Sequence, residues 1–106
     1  MASTIRGTTP TLVFNLPFLA STVKYCEVYF AQEDNLLLTK TYSDCTLSEK
    51  KLQLTLSQED TLKFDDEQRL QIQIRFVFND DSVNATSIIK AKIGKILKDG
   101  EIDVDE

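Results

Sequence analysis

The chain has no histidine and no tryptophan, and only two cysteines, three glycines and two prolines. Without histidine it lacks the commonest general base and the commonest metal-ligating side chain. Cys26 and Cys45 form no CxxC pair, so no zinc site is expected. No apolar signal segment precedes the strands, so an oxidising compartment is not indicated and free, buried thiols are expected. Gly7, Gly94 and Gly100 are too scattered to build a phosphate-cradling loop. The longest aliphatic run is Leu36-Leu37-Leu38, far short of the roughly 20 residues of a membrane helix. The absent tryptophan also weakens a sugar-binding reading.

What remains suits one globular domain. The chain has 106 residues, 42% of them hydrophobic and 27% charged. That length supports a core without a metal or a disulfide. The net charge of −5 opposes a polyanionic partner, because phosphate binding relies on clustered Lys and Arg. Neither nucleic acid nor membrane is expected as a partner, and no cofactor is expected.

The segment Arg69 to Phe78 carries the clearest pattern. Leu70, Ile72, Ile74, Phe76 and Phe78 alternate with Gln71, Gln73 and Arg75. Successive side chains of a strand point to opposite faces, so this is a half-buried strand. Other segments repeat the pattern. Leu12, Phe14 and Leu16 alternate between Pro10 and Pro17. In residues 22–32, Cys26, Val28 and Phe30 oppose Tyr25, Glu27 and Tyr29. The turn residues Glu33-Asp34-Asn35 lead into a strand over 36–41, predicting a hairpin. Cys45 and Leu47 suggest a short extra strand, and Leu52, Leu54 and Leu56 another.

Ser57 with Asp60 three positions on is a capping-box pattern and predicts about one helical turn near residues 58–63. This turn is expected to carry the chain from one sheet to the other. Asn79 to Ser82 predicts a reversal, and residues 83–93 a returning strand with Ala85, Ser87, Ile89, Ala91 and Ile93 inward. Ile96 and Leu97 would continue it to a turn at Asp99-Gly100. Residues 1–9 read as a flexible arm, 10–102 as the domain and 103–106 as a frayed acidic tail. The expected fold is all-β: an antiparallel, immunoglobulin-like β-sandwich of about seven strands with one short helical turn.

No constellation points to catalysis. Asp60, Asp65, Asp66 and Glu67, and the pair Asp80 and Asp81, are read as turn formers rather than calcium ligands, since EF-hand spacing is missing. Candidate partner contacts are Tyr25, Tyr29, Gln71, Gln73 and Arg75, which would form a polar-aromatic plate if they share one sheet. Lys90 and Lys92 share the outward face of their strand. They serve either as lysines that discourage edge pairing or as a docking surface for an acidic partner.

Two resemblances attach to specific residues. The corner from Leu54 to Phe64 resembles the corner between strands E and F of immunoglobulin domains, with Asp60 matching an Asp there. The Tyr and Cys that follow in that family are missing, so antibody-like function is not implied. More of the chain, about residues 8–102, resembles small structural proteins from the tail regions of phages and prophages. In particular it is similar to the N-terminal β-sandwich domain of phage baseplate upper proteins. The matching segments are 9–17, 29–32, 56–64 leading into 70–75, 85–89 and 96–102. The strongest of these is Ser57 to Thr61 running into the alternating Gln and Ile of 71–74.

This resemblance implies a noncatalytic tail or baseplate component. It would act through contacts with other phage proteins or a second copy of itself, first in the bacterial cytoplasm and then in the virion. The receptor-binding region of those proteins has no counterpart here, so host recognition is not implied. A small sugar- or protein-binding module on the same fold is the alternative.

Overall fold

A computed structural model describes residues 3–98 and 100–102. Nine strands are present among them: β1 (Ser3–Ile5), β2 (Thr11–Asn15), β3 (Val23–Gln32), β4 (Asn35–Thr41), β5 (Cys45–Ser48), β6 (Lys51–Thr55), β7 (Leu70–Phe78), β8 (Val83–Ala85) and β9 (Ile89–Gly94). One short helix, α1 (Gln58–Leu62), lies between β6 and β7. The large sheet runs β1-β9-β7-β3-β4, with β8 also paired to β7, and the small sheet runs β2-β6-β5. Every pairing is antiparallel except β1 with β9.

Alternation decides which faces meet. Cys26, Val28 and Phe30 of β3 and Leu70, Ile72, Ile74 and Phe76 of β7 are buried against Leu12, Leu52 and Leu54 of the small sheet. Burying one such large side chain contributes roughly 1.5–3 kcal/mol, so these two central strands dominate the stability of the layers. Strands β2, β6 and β5 correspond in order to B, E and D of an immunoglobulin domain, and β9, β7, β3 and β4 to G, F, C and C′. The fold is an immunoglobulin-like sandwich. Apolar contacts fill its centre, and the two cysteines are free thiols.

The connections use the turn chemistry the sequence announces. Glu33 and Asp34 both adopt positive φ (50° and 65°), which closes the β3–β4 hairpin with the twist its strands require. Helix α1 carries a reciprocal cap. The Ser57 hydroxyl accepts from the Asp60 N–H at 3.1 Å, and the Asp60 carboxylate accepts from the Ser57 N–H at 2.9 Å. That carboxylate also meets the Lys40 ammonium of β4 at 2.9 Å, which ties the crossover to the large sheet. Buried Gln32 holds the following loop: it donates to the carbonyls of Asp65 and Gln68 and accepts from the Asp65 N–H.

Three expectations need correction. First, residues 83–93 are two strands rather than one. Arg75 pairs with Ala85, while Ile72 pairs with Ile89. The register sums differ by one, so one extra residue enters between β8 and β9, and a one-residue slip exchanges the two faces. Ala85 and Ser87 are therefore exposed, whereas Ala91 and Ile93 are buried. Thr86 bridges the break, because its N–H donates to the Ile74 carbonyl and its hydroxyl accepts from the Ile74 N–H.

Second, among the described residues no strand continues beyond Gly94. The pairing with β1 ends there, and Leu97 is exposed. Asp99 lies outside the described residues.

Third, residues 3–9 are not a free arm. Ser3–Ile5 forms β1, the Arg6 guanidinium donates to the carbonyls of Phe64 (2.7 Å) and Leu62 (3.0 Å), and the Thr8 carbonyl accepts from the Thr61 hydroxyl. A three-residue strand is too short to show a period. Met1, Ala2 and the predicted tail 103–106 lie outside the described residues.

Gly94 lets β1 dock. A Cβ there would sit 2.7 Å from Ile5 Cγ1. Gly94→Ala is expected to cost about 1–3 kcal/mol in urea unfolding. Amide exchange should quicken at residues 3–6 and stay slow in β3 and β7; unchanged exchange at 3–6 would refute this packing.

Asp60→Ala is expected to cost about 1–3 kcal/mol at neutral pH through the lost cap and the unpaired Lys40. Burial pushes the Asp60 carboxyl up, but the Ser57 N–H and Lys40 outweigh it and hold the group below its usual range. Its stabilisation is therefore complete above the unfolded carboxylate value of about 4 and fades as pH falls through the depressed folded value. Urea melts of both proteins should converge on acidification.

Candidate functional site

The outer face of the large sheet gathers the predicted contact residues. Strands β3 and β7 are neighbours, with Tyr29 opposite Gln73 and Glu27 opposite Arg75. Lys90 lies across from Gln71, and Lys92 pairs with Ser3 at the β1 side. The inward burial of Cys26, Val28, Ile72, Ile74 and Ala91 leaves the residues between them facing out. All seven candidates thus lie on one face, as expected for a shared sheet. They do not form one cluster, because the lysines sit to the side of the tyrosines.

The centre of the tyrosine cluster is Glu27. The Tyr29 hydroxyl donates to Glu27 Oε1 at 2.6 Å, and the Tyr25 hydroxyl donates to Oε2 at 2.8 Å. Arg75, opposite Glu27 on β7, lines the same patch as both tyrosines. These hydroxyl donors, first Tyr29 and then Tyr25, hold the Glu27 carboxyl below its usual range, and the Arg75 charge adds to this. The same contact raises the Tyr25 phenol, while Tyr29 is raised first by burial and then by Glu27. Tyr42, in the 3₁₀ turn Tyr42–Asp44 after β4, lies beside Tyr25 with ring centroids 6.3 Å apart. All three tyrosines of the chain therefore stand around or beside one carboxylate.

Glu27 and Tyr42 are absent from the sequence-based candidates. An acid on a wet strand face reads as a solubilising charge. Its placement two residues from a tyrosine on either side is the signal that marks it as a shared acceptor. Tyr42 lies in a turn, where no alternation assigns it to a face.

The two glutamines have structural duties as well. Gln71 exchanges hydrogen bonds with Asp34, accepting from its N–H at 2.8 Å and donating to its carboxylate at 3.1 Å. Gln73 donates to the Thr86 carbonyl at 3.0 Å. They brace the hairpin turn and the β8–β9 break, and those braces shape the surface. A shallow depression of about 280 Å³ lies on one side of Tyr29, walled by Leu36, Gln71, Gln73 and Ile88 over Ala31. A smaller one of about 140 Å³ lies on the other side, among Tyr25, Glu27, Arg75 and Val83. Leu36 is 61% exposed and Ile88 51%, so the first depression offers apolar walls to whatever covers it.

A wider concavity, about 820 Å³, lies by the small sheet among Asn15, Thr46, Lys51 and Gln53. Glu49 is its one carboxylate, so paired acids do not converge there. Among the described residues no group of three or more His, Cys, Asp or Glu is placed to hold a metal. The acidic turns use their own oxygens: Asp65 accepts from the Glu67 N–H, Asp80 accepts from Ser82, and Asp81 pairs with Lys24.

No protein-family model and no curated protein matches the chain. Among solved structures it is similar to the immunoglobulin-like domain of mouse leukocyte-associated immunoglobulin-like receptor 1, crystallised as a strand-swapped dimer. The identity is 9% and the TM-score 0.46, covering 87% of this chain and 85% of that one. It is also similar to the V domain of amphioxus IgVJ-C2, with 8% identity and a TM-score of 0.36, covering 88% and 99%. Likeness at this level transfers no partner or activity to the chain.

Replacing Tyr29 by Phe removes the first donor to Glu27, so the Glu27 carboxyl is expected to titrate at higher pH. Tyr25→Phe should move it less, and Arg75→Gln least. NMR titration of the Glu27 side chain reads this order; no movement in Tyr29→Phe would refute the shared-carboxylate arrangement.

Proposed function

We propose that the chain is a noncatalytic binding module that holds a protein partner on the outer face of its large sheet. We place it as a structural or assembly component of a phage or prophage tail. The observation that carries the binding reading is the Glu27-centred cluster. Tyrosines supply large contact areas, and hydroxyls already anchored to a carboxylate lose little freedom when a partner arrives. The flanking depressions around Leu36 and Ile88 give apolar contact, and the neighbouring glutamines and Arg75 form a polar rim. The phage setting is supported by the sequence resemblance over residues 8–102. It brings with it other tail proteins or a second copy as partners, and passage from the host cytoplasm into the particle.

Proteomics of purified induced particles tests the setting, since this chain should be recovered from complete virions or from assembly intermediates. Its absence from both would end the phage reading. For the face, the double change Tyr25→Ala with Tyr29→Ala is expected to weaken the assembly seen by light scattering or partner titration. The loss should be at least about 30-fold, corresponding to some 2 kcal/mol. Gln53→Ala, on the small sheet, should leave it unchanged. Equal binding by the double variant, with its fold intact by circular dichroism, would overturn the proposal. A glycan-array signal abolished by the same double change would favour the sugar-binding alternative.

A further inference from the structure

The two cysteines face each other across the space between the sheets. Cys26 is fully buried on the inner side of β3, where it pairs with Phe76. Cys45 opens β5 in the opposite sheet, across from Leu54, and is half-buried against the same core. Cys45 Sγ lies 3.4 Å from the carbonyl oxygen of Thr41, and Thr41 pairs with Glu27, the residue next to Cys26, so the two side chains enter the core at the same place. The chain joining them is the rest of β3, the hairpin turn, β4 and the Tyr42–Asp44 turn, where the backbone leaves the large sheet for the small one. Neither thiol belongs to the outer face.

We propose that Cys26 and Cys45 form a reversible inter-sheet crosslink, closed by thiol–disulfide exchange with a small-molecule disulfide such as glutathione disulfide. The Cys45 thiolate attacks one sulfur of that disulfide, making a mixed disulfide and releasing one thiolate. Cys26 then attacks Cys45 Sγ, gives up its proton to the departing sulfur and expels the second small thiol. Two protein thiols are oxidised to one disulfide, and one small disulfide is reduced to two thiols.

The division of roles follows from position. Cys45 is half-buried and reachable from solvent, so it meets the small disulfide first. Cys26 is closed off from solvent, so it resolves rather than initiates. The crosslink closes a loop at the corner that joins the layers and braces β3 directly behind Glu27. It makes the sandwich more stable once the protein meets an oxidising medium.

The reduced full-length protein, incubated anaerobically with glutathione disulfide, should lose the mass of two hydrogens and retain no alkylatable thiol after denaturation. Digestion should yield the Cys26 and Cys45 peptides linked, and dithiothreitol should restore both thiols. Closing a loop of this length should raise Tm by about 10 °C. Cys26→Ala should stop at a glutathione adduct on Cys45, and Cys45→Ala should stay unreacted while folded. A wild-type protein that keeps both thiols, stops at the adduct or crosslinks only between molecules would overturn the proposal. The wild-type result decides the matter even if a variant fails to fold.

Discussion

The rest of the molecule depends on the pairing of β3 with β7. Each strand has one continuous apolar face, and their register puts Val28 beside Ile74 and Phe30 beside Ile72. That shared face cannot remain in water, so the small sheet must cover it. Once the inner face is committed, the outer face has no freedom left. Tyr25, Glu27 and Tyr29 must stand beside Gln73 and Arg75. The candidate surface is a consequence of core formation on the other side of the same backbone.

The polar groups do two kinds of work. Some brace the frame, as Asp60 does in joining Ser57 to Lys40, and as Gln32 does in holding the loop after α1. Others shape the surface, as Glu27 does in fixing two tyrosines. Gln71 and Gln73 do both, since their amides stabilise turns whose residues wall the depression beside Tyr29. A flat sheet face thereby acquires relief without a cleft, and this favours contact with another protein over enclosure of a small substrate.

Legibility in the sequence followed the length of the pattern. Residues 70–78 hold five apolar positions in strict alternation, so strand and face were both readable, whereas the central place of this strand in the sheet was not. Ser57 and Asp60 announced the helix because a cap is a local interaction between residues three apart. The strand Ser3–Ile5 was hidden because it is held by a partner almost ninety residues along the chain. The break around Thr86 was hidden for a related reason. Residues 83–93 alternate well enough to pass as one strand, and only pairing with β7 reveals the extra residue. Within the site, alternation selected Tyr25 and Tyr29. The importance of Glu27 came from hydroxyl and guanidinium groups whose meeting depends on strand register.

By itself the sequence determined that this chain is a β protein, which residues of each long strand turn inward, and where its hairpins and its helical cap fall. These are governed by interactions between residues a few positions apart. Tertiary structure alone decided that Glu27 is shared by Tyr25 and Tyr29, that β1 docks on β9, and that Cys26 and Cys45 turn into one core from opposite layers. Each of these requires strand register or sheet stacking to bring separate side chains together, and a period of two says which face a residue takes without saying what it will find there.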